Sequence, residues 1–302
     1  MRSAAAGALL LCACADRPPP APEFQENRAW SHLVLQLSFG PRYAGNPGHR
    51  RQLAWMVEEL EFRADTVLQQ AFTATDSAGK TLKMTNVVAR FRPELADRVL
   101  LVANWDTRLR ADGSPDVLDR RYPVPGANLN ASGVAVLMEM AQLFTEQPPP
   151  VGIDLLLADG DDYSREVQMM GTKHFIRSMP GYRPRYAVVL QAVADVHAEF
   201  PMDSASAAGA AEPARRMWEA ARRLRYDSVF VAQTAAPAAN QGKVLSAAGI
   251  PTVVVADREY GPLNMRWHAT DDLPRYLARE TMGLVGRTLA AAIYAEAPAE
   301  VR

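Results

Sequence analysis

From residue 24 onward, short runs of β-branched and other apolar residues alternate with stretches whose apolar positions recur every three or four residues. Residues 86–91, 99–103 and 153–158, together with Tyr186–Gln191 and Thr252–Ala256, are nearly continuous apolar runs and predict buried strands. Pro47–Glu61 and Arg279–Tyr294 carry the helical period. So does 130–144, with Val134, Leu137, Met138, Ala141 and Phe144 on one face. Strands that are apolar throughout, separated by helices, predict an α/β fold with a mostly parallel central sheet covered on both faces. In such sheets ligands bind beyond the carboxyl ends of the strands, so the loops there are where chemistry is expected. No internal repeat is visible, and the alanine-rich stretch 204–214 reads as a loop entering a helix.

The 302 residues are 48% hydrophobic and 22% charged, enough to bury a large core and inconsistent with a disordered or disulfide-scaffolded chain. Basic and acidic side chains nearly cancel, 33 against 34, and no Lys/Arg-rich run offers a phosphate backbone a partner, so nucleic-acid binding has no support. Both cysteines fall within the first 14 residues, which leaves the body unable to form an internal disulfide. Arg2, the apolar stretch 4–11 and the small residues that follow read as a signal peptide, residues 1–13. Leu11-Cys-Ala-Cys14 resembles the lipobox of bacterial lipoproteins, which implies a lipid on Cys14 and a membrane-anchored protein in the periplasm or at the cell surface. An ordinary cleaved signal peptide is the plainer alternative, and either implies export. Residues 14–23 form a proline-rich tether, and 24–302 read as one domain.

The loops at the expected sheet edge read Asn104-Trp-Asp-Thr-Arg108, Pro125-Gly-Ala-Asn-Leu-Asn-Ala-Ser-Gly133, Asp159-Gly-Asp-Asp-Tyr163, Leu190-Gln-Ala-Val-Ala-Asp195, Ala248-Gly-Ile-Pro251 and Trp267-His-Ala-Thr-Asp271. Together with Phe39-Gly-Pro-Arg42 and Asn86-Val-Val-Ala89, their order resembles the glutaminyl-peptide cyclotransferases and related zinc aminopeptidases. Among these, the chain is similar to the bacterial glutaminyl cyclase-like lipoproteins, over about residues 39 to 294. The resemblance implies a three-layer α/β/α sandwich around a mixed sheet, with zinc at its edge. It places the zinc ligands at 129, 162 and 268, of which Asp162 and His268 remain. Leu129 stands where an aspartate is usual and has no lone pair to give. Asn104 and Gln191 replace a histidine and an aspartate, and Gln241 falls in a loop that usually supplies an acidic residue. The general-base position is Asp161, one methylene shorter than the usual glutamate, and a misplacement of about 1 Å can cost on the order of a hundredfold in rate.

These changes are coherent in physical terms. Clustered carboxylates repel one another and are costly to desolvate without a cation, so Leu, Asn and Gln suit a site emptied of metal. The resemblance therefore implies a catalytically impaired member that keeps a pocket walled by Asn104, Trp105, Asp106, Gln191, Gln241 and Trp267. A peptide N-terminus or a small amine is the expected ligand class. The alternative is an active zinc enzyme that cyclises N-terminal glutamine or cleaves N-terminal residues, with Asp161 or His197 as substitute ligand. With no metal-bound imidazole at 104 to orient, Asp106 is expected to pair with Arg108 or cap a nearby backbone. His268, with Thr270 and Asp271, also reads as an ordinary turn and helix cap. His32, His49 and His174 have no acidic partner nearby in sequence and read as structural or surface residues. Ser132 lacks a Gly-x-Ser-x-Gly elbow and reads as a satisfier of backbone donors, and no phosphate-binding glycine loop is present.

Overall fold

In the computed structural model, residues 20–236 and 240–298 are described. The expected signal peptide, Cys14 and most of the tether lie outside them. Two helices open the described chain, α1 (Glu26–Ser38) and α2 (Pro47–Glu61), followed by a long hairpin of β1 (Thr66–Thr75) and β2 (Thr81–Phe91). Next come β3 (Arg98–Asn104), α3 (Gly133–Glu146), β4 (Gly152–Ala158), α4 (Met170–Ser178) and β5 (Tyr186–Gln191). A two-residue strand β6 (Met202–Asp203) leads into α5 (Ser204–Gly209) and α6 (Ala211–Arg223), and pairs with β7 (Thr234–Ala235). The chain then runs through α7 (Gln241–Ala247), β8 (Thr252–Ala256) and α8 (Arg279–Tyr294).

The main sheet has the order β1-β2-β4-β3-β5-β8. Its first two pairings are antiparallel and its last three parallel. Every residue of β3 and β4 is buried, as expected of strands covered on both faces. The period-2 alternation divides them between two cores. Val99, Leu101 and Ala103 pack with α1, α2, α3, α6 and α8. Leu100 and Val102 face the opposite layer with Phe175 of α4 and Leu245 of α7. This is the three-layer sandwich that the apolar runs imply. The one charge within β4, Asp154, lies at the end of the sheet away from the strand tips and is neutralised by Arg98 at 2.7 Å and Arg90 at 2.9 Å.

Two local readings of the sequence need correction. Residues 204–214 are almost wholly helical, because Asp203 caps α5 by accepting the N–H groups of Ala205 and Ser206 and outweighs the loop-like composition. The helix expected from 130 begins at Gly133, preceded by a π-helical turn, Ala127–Ser132. Such wide turns recur at functional sites because they swing side chains out of the regular register. The turn is entered through Gly126 at φ +67°, where a Cβ would come within 2.5 Å of Thr107 and Asn130 side-chain atoms. Buried Arg42 pins it by donating to the carbonyls of Pro125 and Gly126. Strand β1 carries no clear sequence signal, since it lies at the sheet edge and leaves much of its surface in water.

The parallel strands β3, β4, β5 and β8 all end on one edge. That edge collects the loops that start at Asn104, Asp159, Ala192 and Asp257.

Candidate functional site

The floor of this edge is a buried set of aspartates. The Asp106 carboxylate accepts the N–H of Asp161 at 3.1 Å and of Asp162 at 3.0 Å, fixing the loop that follows β4. Burial drives its pKa well above the ordinary range, and the charges of Asp159, Asp162 and Asp161 add to the effect. Asp106 thus caps a backbone, as one of the two expectations had it, and does not pair with Arg108. Asp159 accepts the Thr85 N–H at 2.6 Å and lies 2.9 Å from His49 Nε2. The imidazole stacks on Trp105 at 4.4 Å between ring centroids. His49 therefore has an acidic partner, 110 positions away, which no local spacing discloses. Its role is structural, joining α2 to the end of β4.

Asp162 is the centre of the site, and each of its carboxylate oxygens accepts from protein donors. Arg108 gives Asp162 Oδ1 two hydrogen bonds, from Nε at 3.0 Å and from Nη2 at 2.8 Å. His268 Nε2 stands 3.1 Å from the same oxygen, and Asn130 Nδ2 donates to Oδ2 at 3.2 Å. Burial alone would raise this carboxyl's pKa, but His268, Arg108 and Asn130 overcome it and hold it at about 2. Arg108 also reaches Asp112 at 3.1 Å, so one buried guanidinium ties together the loops after β3 and β4. His268 occupies left-handed backbone, at φ +53°, in a turn rather than at a helix cap.

Leu129 offers no ligand atom to the site. It is 3% exposed and packs with Ala192 and Tyr260 in a small apolar cluster that Trp267, Tyr276 and Leu277 complete. Its backbone is held by Asp272, which accepts the N–H of Asn128 at 2.7 Å, that of Leu129 at 3.3 Å, and the Tyr260 hydroxyl at 2.9 Å. Burial raises the Asp272 pKa to about 6, against these hydrogen bonds. Ser132 accepts the Val193 N–H at 3.0 Å, in keeping with a hydroxyl that satisfies backbone.

Neutral amides line the other side. Gln241 Nε2 donates to Asn104 Oδ1 at 3.1 Å, and Asn240 Nδ2 donates to Gln191 Oε1 at 3.3 Å. With Asp161, Asp162, Trp267 and His268, the amides of Asn104, Gln191 and Gln241 surround a cavity of about 30 Å³. That is room for about one water, far below the roughly 300–1,000 Å³ of small-molecule sites. Asp161 is anchored by the N–H and hydroxyl of Thr172, yet burial lifts its pKa to about 6.

The residues at this edge do not fit a catalytic zinc. Such an ion needs about three protein ligands and an open position. At 129 there is a leucine, and both oxygens of Asp162 are directed at Arg108, His268 and Asn130. Among the described residues no three His, Cys, Asp or Glu side chains converge as a metal site. His197, weighed as a substitute ligand, is exposed and belongs to a different cavity.

Of the residues singled out from sequence, Asn104, Asp161, Asp162, Gln191, Gln241, Trp267 and His268 come together. Trp105 and Asp106 were expected in the pocket wall but lie beneath it, because stacking on His49 and bonding to the 161–162 backbone turn them inward. Sequence reading did not assign the guanidinium of Arg108, the amide of Asn130 or the Asp272 brace to the site. Arg108 was in view, beside Asp106, but its partner lies 54 positions on.

A pH dependence follows from Asp161. A carboxyl whose pKa is raised by folding makes the native state the better proton binder, so its contribution is intact below about pH 4 and is lost as pH rises through about 6. Relative to wild type, Asp161→Asn is expected to gain on the order of 2 kcal/mol between pH 4 and 7. Paired thermal melts across that range measure the difference, and a constant offset would contradict the assignment.

The fold is shared with known proteins. The profile of Peptidase family M28 matches residues 86–293. A Zn-dependent exopeptidase from Parabacteroides distasonis superposes with a TM-score of 0.87 at 28% identity, covering 91% of this chain and 100% of that one. The glutaminyl cyclase of Tannerella forsythia gives 0.85 at 29% identity, with the same coverage of each chain. A leucine aminopeptidase precursor from Bacteroides thetaiotaomicron gives 0.86 at 27%, covering 91% of this chain and 99% of that one. A "Probable zinc metalloprotease" of Pyricularia oryzae is 35% identical over 83 residues, which span 27% of this chain and 16% of that protein. The match over more than half of the chain and the shared sandwich establish that this chain belongs to peptidase family M28.

Proposed function

We propose that this chain is a catalytically impaired M28 protein that acts as a binding module and has exchanged the zinc of its site for an internal ion pair. The observation that carries the reading is the Arg108–Asp162 contact, in which a buried guanidinium supplies the positive charge that a metal would otherwise bring to the carboxylate. Leu129 in its apolar cluster and the Asn104–Gln241 amide pair support it, since both suit a site without a cation. In this reading the protein is exported and held at a membrane by a lipid on Cys14, and its ligand is a peptide N-terminus or a small amine. The 30 Å³ void beside Asp161 is too small for either, so the ligand would be taken at the surrounding edge.

The reading is tested by assaying the purified body, with zinc supplied, on an N-terminal glutamine peptide and on a leucyl amide. No turnover above the protein-free rate is expected, and zinc-dependent formation of pyroglutamate or release of leucine would overturn it. Membrane fractionation of Cys14→Ser tests the location. The variant is expected in the soluble fraction, and retention with the membrane would end the lipoprotein reading.

A further inference from the structure

A second, larger cavity opens beside the degenerate site, over the carboxyl ends of β5 and β8. It measures about 640 Å³, within the range of small-molecule sites. Asp195, Glu199, Asp257 and Glu259 stand in its wall against the guanidiniums of Arg258 and Arg266. Arg258 is paired within the wall, to Glu199, whereas Arg266 Nε is buried with no hydrogen-bond partner among the described residues and its guanidinium lies over Tyr276. Arg258 bonds Gln233 at 3.0 Å and Glu199 at 3.3 Å, while Arg266 lies 3.6 Å from the centre of the Tyr276 ring and 3.8 Å from Asp271. Among the described residues the carboxylates of Asp195 and Asp257 have no ion-pair partner. Asp195 Oδ1 accepts the N–H of His197.

Asp257 is the unusual member. It is 6% exposed, and its Oδ1 accepts the N–H groups of Glu199 and Glu259. Its Oδ2 is buried and has no hydrogen-bond partner among the described residues. A buried acceptor left unpaired costs about 1–3 kcal/mol, more when charged, and such atoms are rare in folded proteins. The geometry points to a binding site for an organic cation, an ammonium or guanidinium group, held by Asp257 and Asp195 in the cavity over β5 and β8. A donor of that kind would offset the clustered negative charge and, once the Asp257 side chain turns toward the cavity, satisfy Oδ2. Burial first, and Asp195 second among the raising influences, push the Asp257 pKa up to about 7, the direction expected of a carboxylate lacking its counter-ion. The carboxylates are spread around the wall and do not converge as a metal cage among the described residues, which favours a cation with length over a bare ion.

This inference rests on the proposed binding role and not on the state of the zinc position. Calorimetric titration of the full soluble body with agmatine, and separately with an N-acetylated, C-amidated tripeptide containing one arginine, tests it and separates a free amine from a basic side chain. Binding of either probe is expected, weakened at least tenfold in Asp257→Asn and in Asp195→Asn. Asparagine at 257 keeps an oxygen for the Glu199 and Glu259 N–H groups, and unchanged melting of either variant shows that the fold is intact. Binding unaffected by both substitutions would move the site elsewhere and overturn this inference while leaving the binding role standing. No binding of either probe to wild type would overturn the inference as well, with the metal question decided separately by zinc analysis.

Discussion

Arg108→Ala is expected to destabilise the protein by about 3–5 kcal/mol, the usual cost of removing one partner of a buried ion pair. The Arg108 side chain is 5% exposed and that of Asp162 12% exposed, so the carboxylate, left with His268 and Asn130 alone, cannot recover its hydration without opening the site. At roughly 2–4 °C per kcal/mol for a domain of this size, the melting temperature should fall by about 10 °C. The double variant Arg108→Met, Asp162→Asn removes both charges and should recover most of the loss, because replacing a buried pair by neutral groups is often close to neutral. Thermal melts of the three proteins provide the comparison. A loss below about 1 kcal/mol in the single variant, typical of an exposed pair, would mean that Asp162 does not depend on the guanidinium.

The second large effect concerns metal. Leu129→Asp combined with Asn130→Ala supplies a third ligand and frees Oδ2 of Asp162 from its amide donor. Without zinc this variant should be several kcal/mol less stable than wild type. It loses the contacts of Leu129 with Ala192 and Tyr260 and adds a carboxylate beside Asp162. With zinc it should regain stability, since an ion that binds only the folded state stabilises it by mass action, about 2.7 kcal/mol at a hundredfold excess over Kd. Adding Asp161→Glu restores the longer general base, at a packing cost of about 1–3 kcal/mol next to so small a void. Zinc-dependent melting of the variant, absent in wild type, is the expected result. Equal response in both would place the metal elsewhere or misplace residue 129.

The contrast between what could and could not be read from sequence follows the range of the interactions involved. Strands β3, β4, β5 and β8 were legible because burial on both faces leaves runs such as Val-Leu-Leu-Val with no other reading. Edge strand β1 was not, since half of its face is wet and its pattern, Thr-Val-Leu-Gln-Gln-Ala-Phe, is mixed. The helix α5 was hidden by its alanine and serine content and disclosed only by the Asp203 cap. At the site, Asp161, Asp162 and His268 stood in recognisable loops. What those side chains do there depends on partners far away in sequence: Arg108 to Asp162, His49 to Asp159, Asp272 to the Asn128 backbone. A sequence shows that Leu129 cannot bind zinc. Only the packed structure shows that Asp162 has already been claimed by an arginine, an amide and a histidine.

That claim on Asp162 is the centre of the account, and zinc stoichiometry tests it most directly. The soluble body, beginning after Cys14, is dialysed against trace zinc and then against metal-free buffer, and zinc per chain is measured by elemental analysis. A value near that of a zinc-free control protein is expected. About one tightly held zinc per chain, lost in Asp162→Asn, would contradict this, because Asp162 would then be holding the ion rather than Arg108 and Asn130.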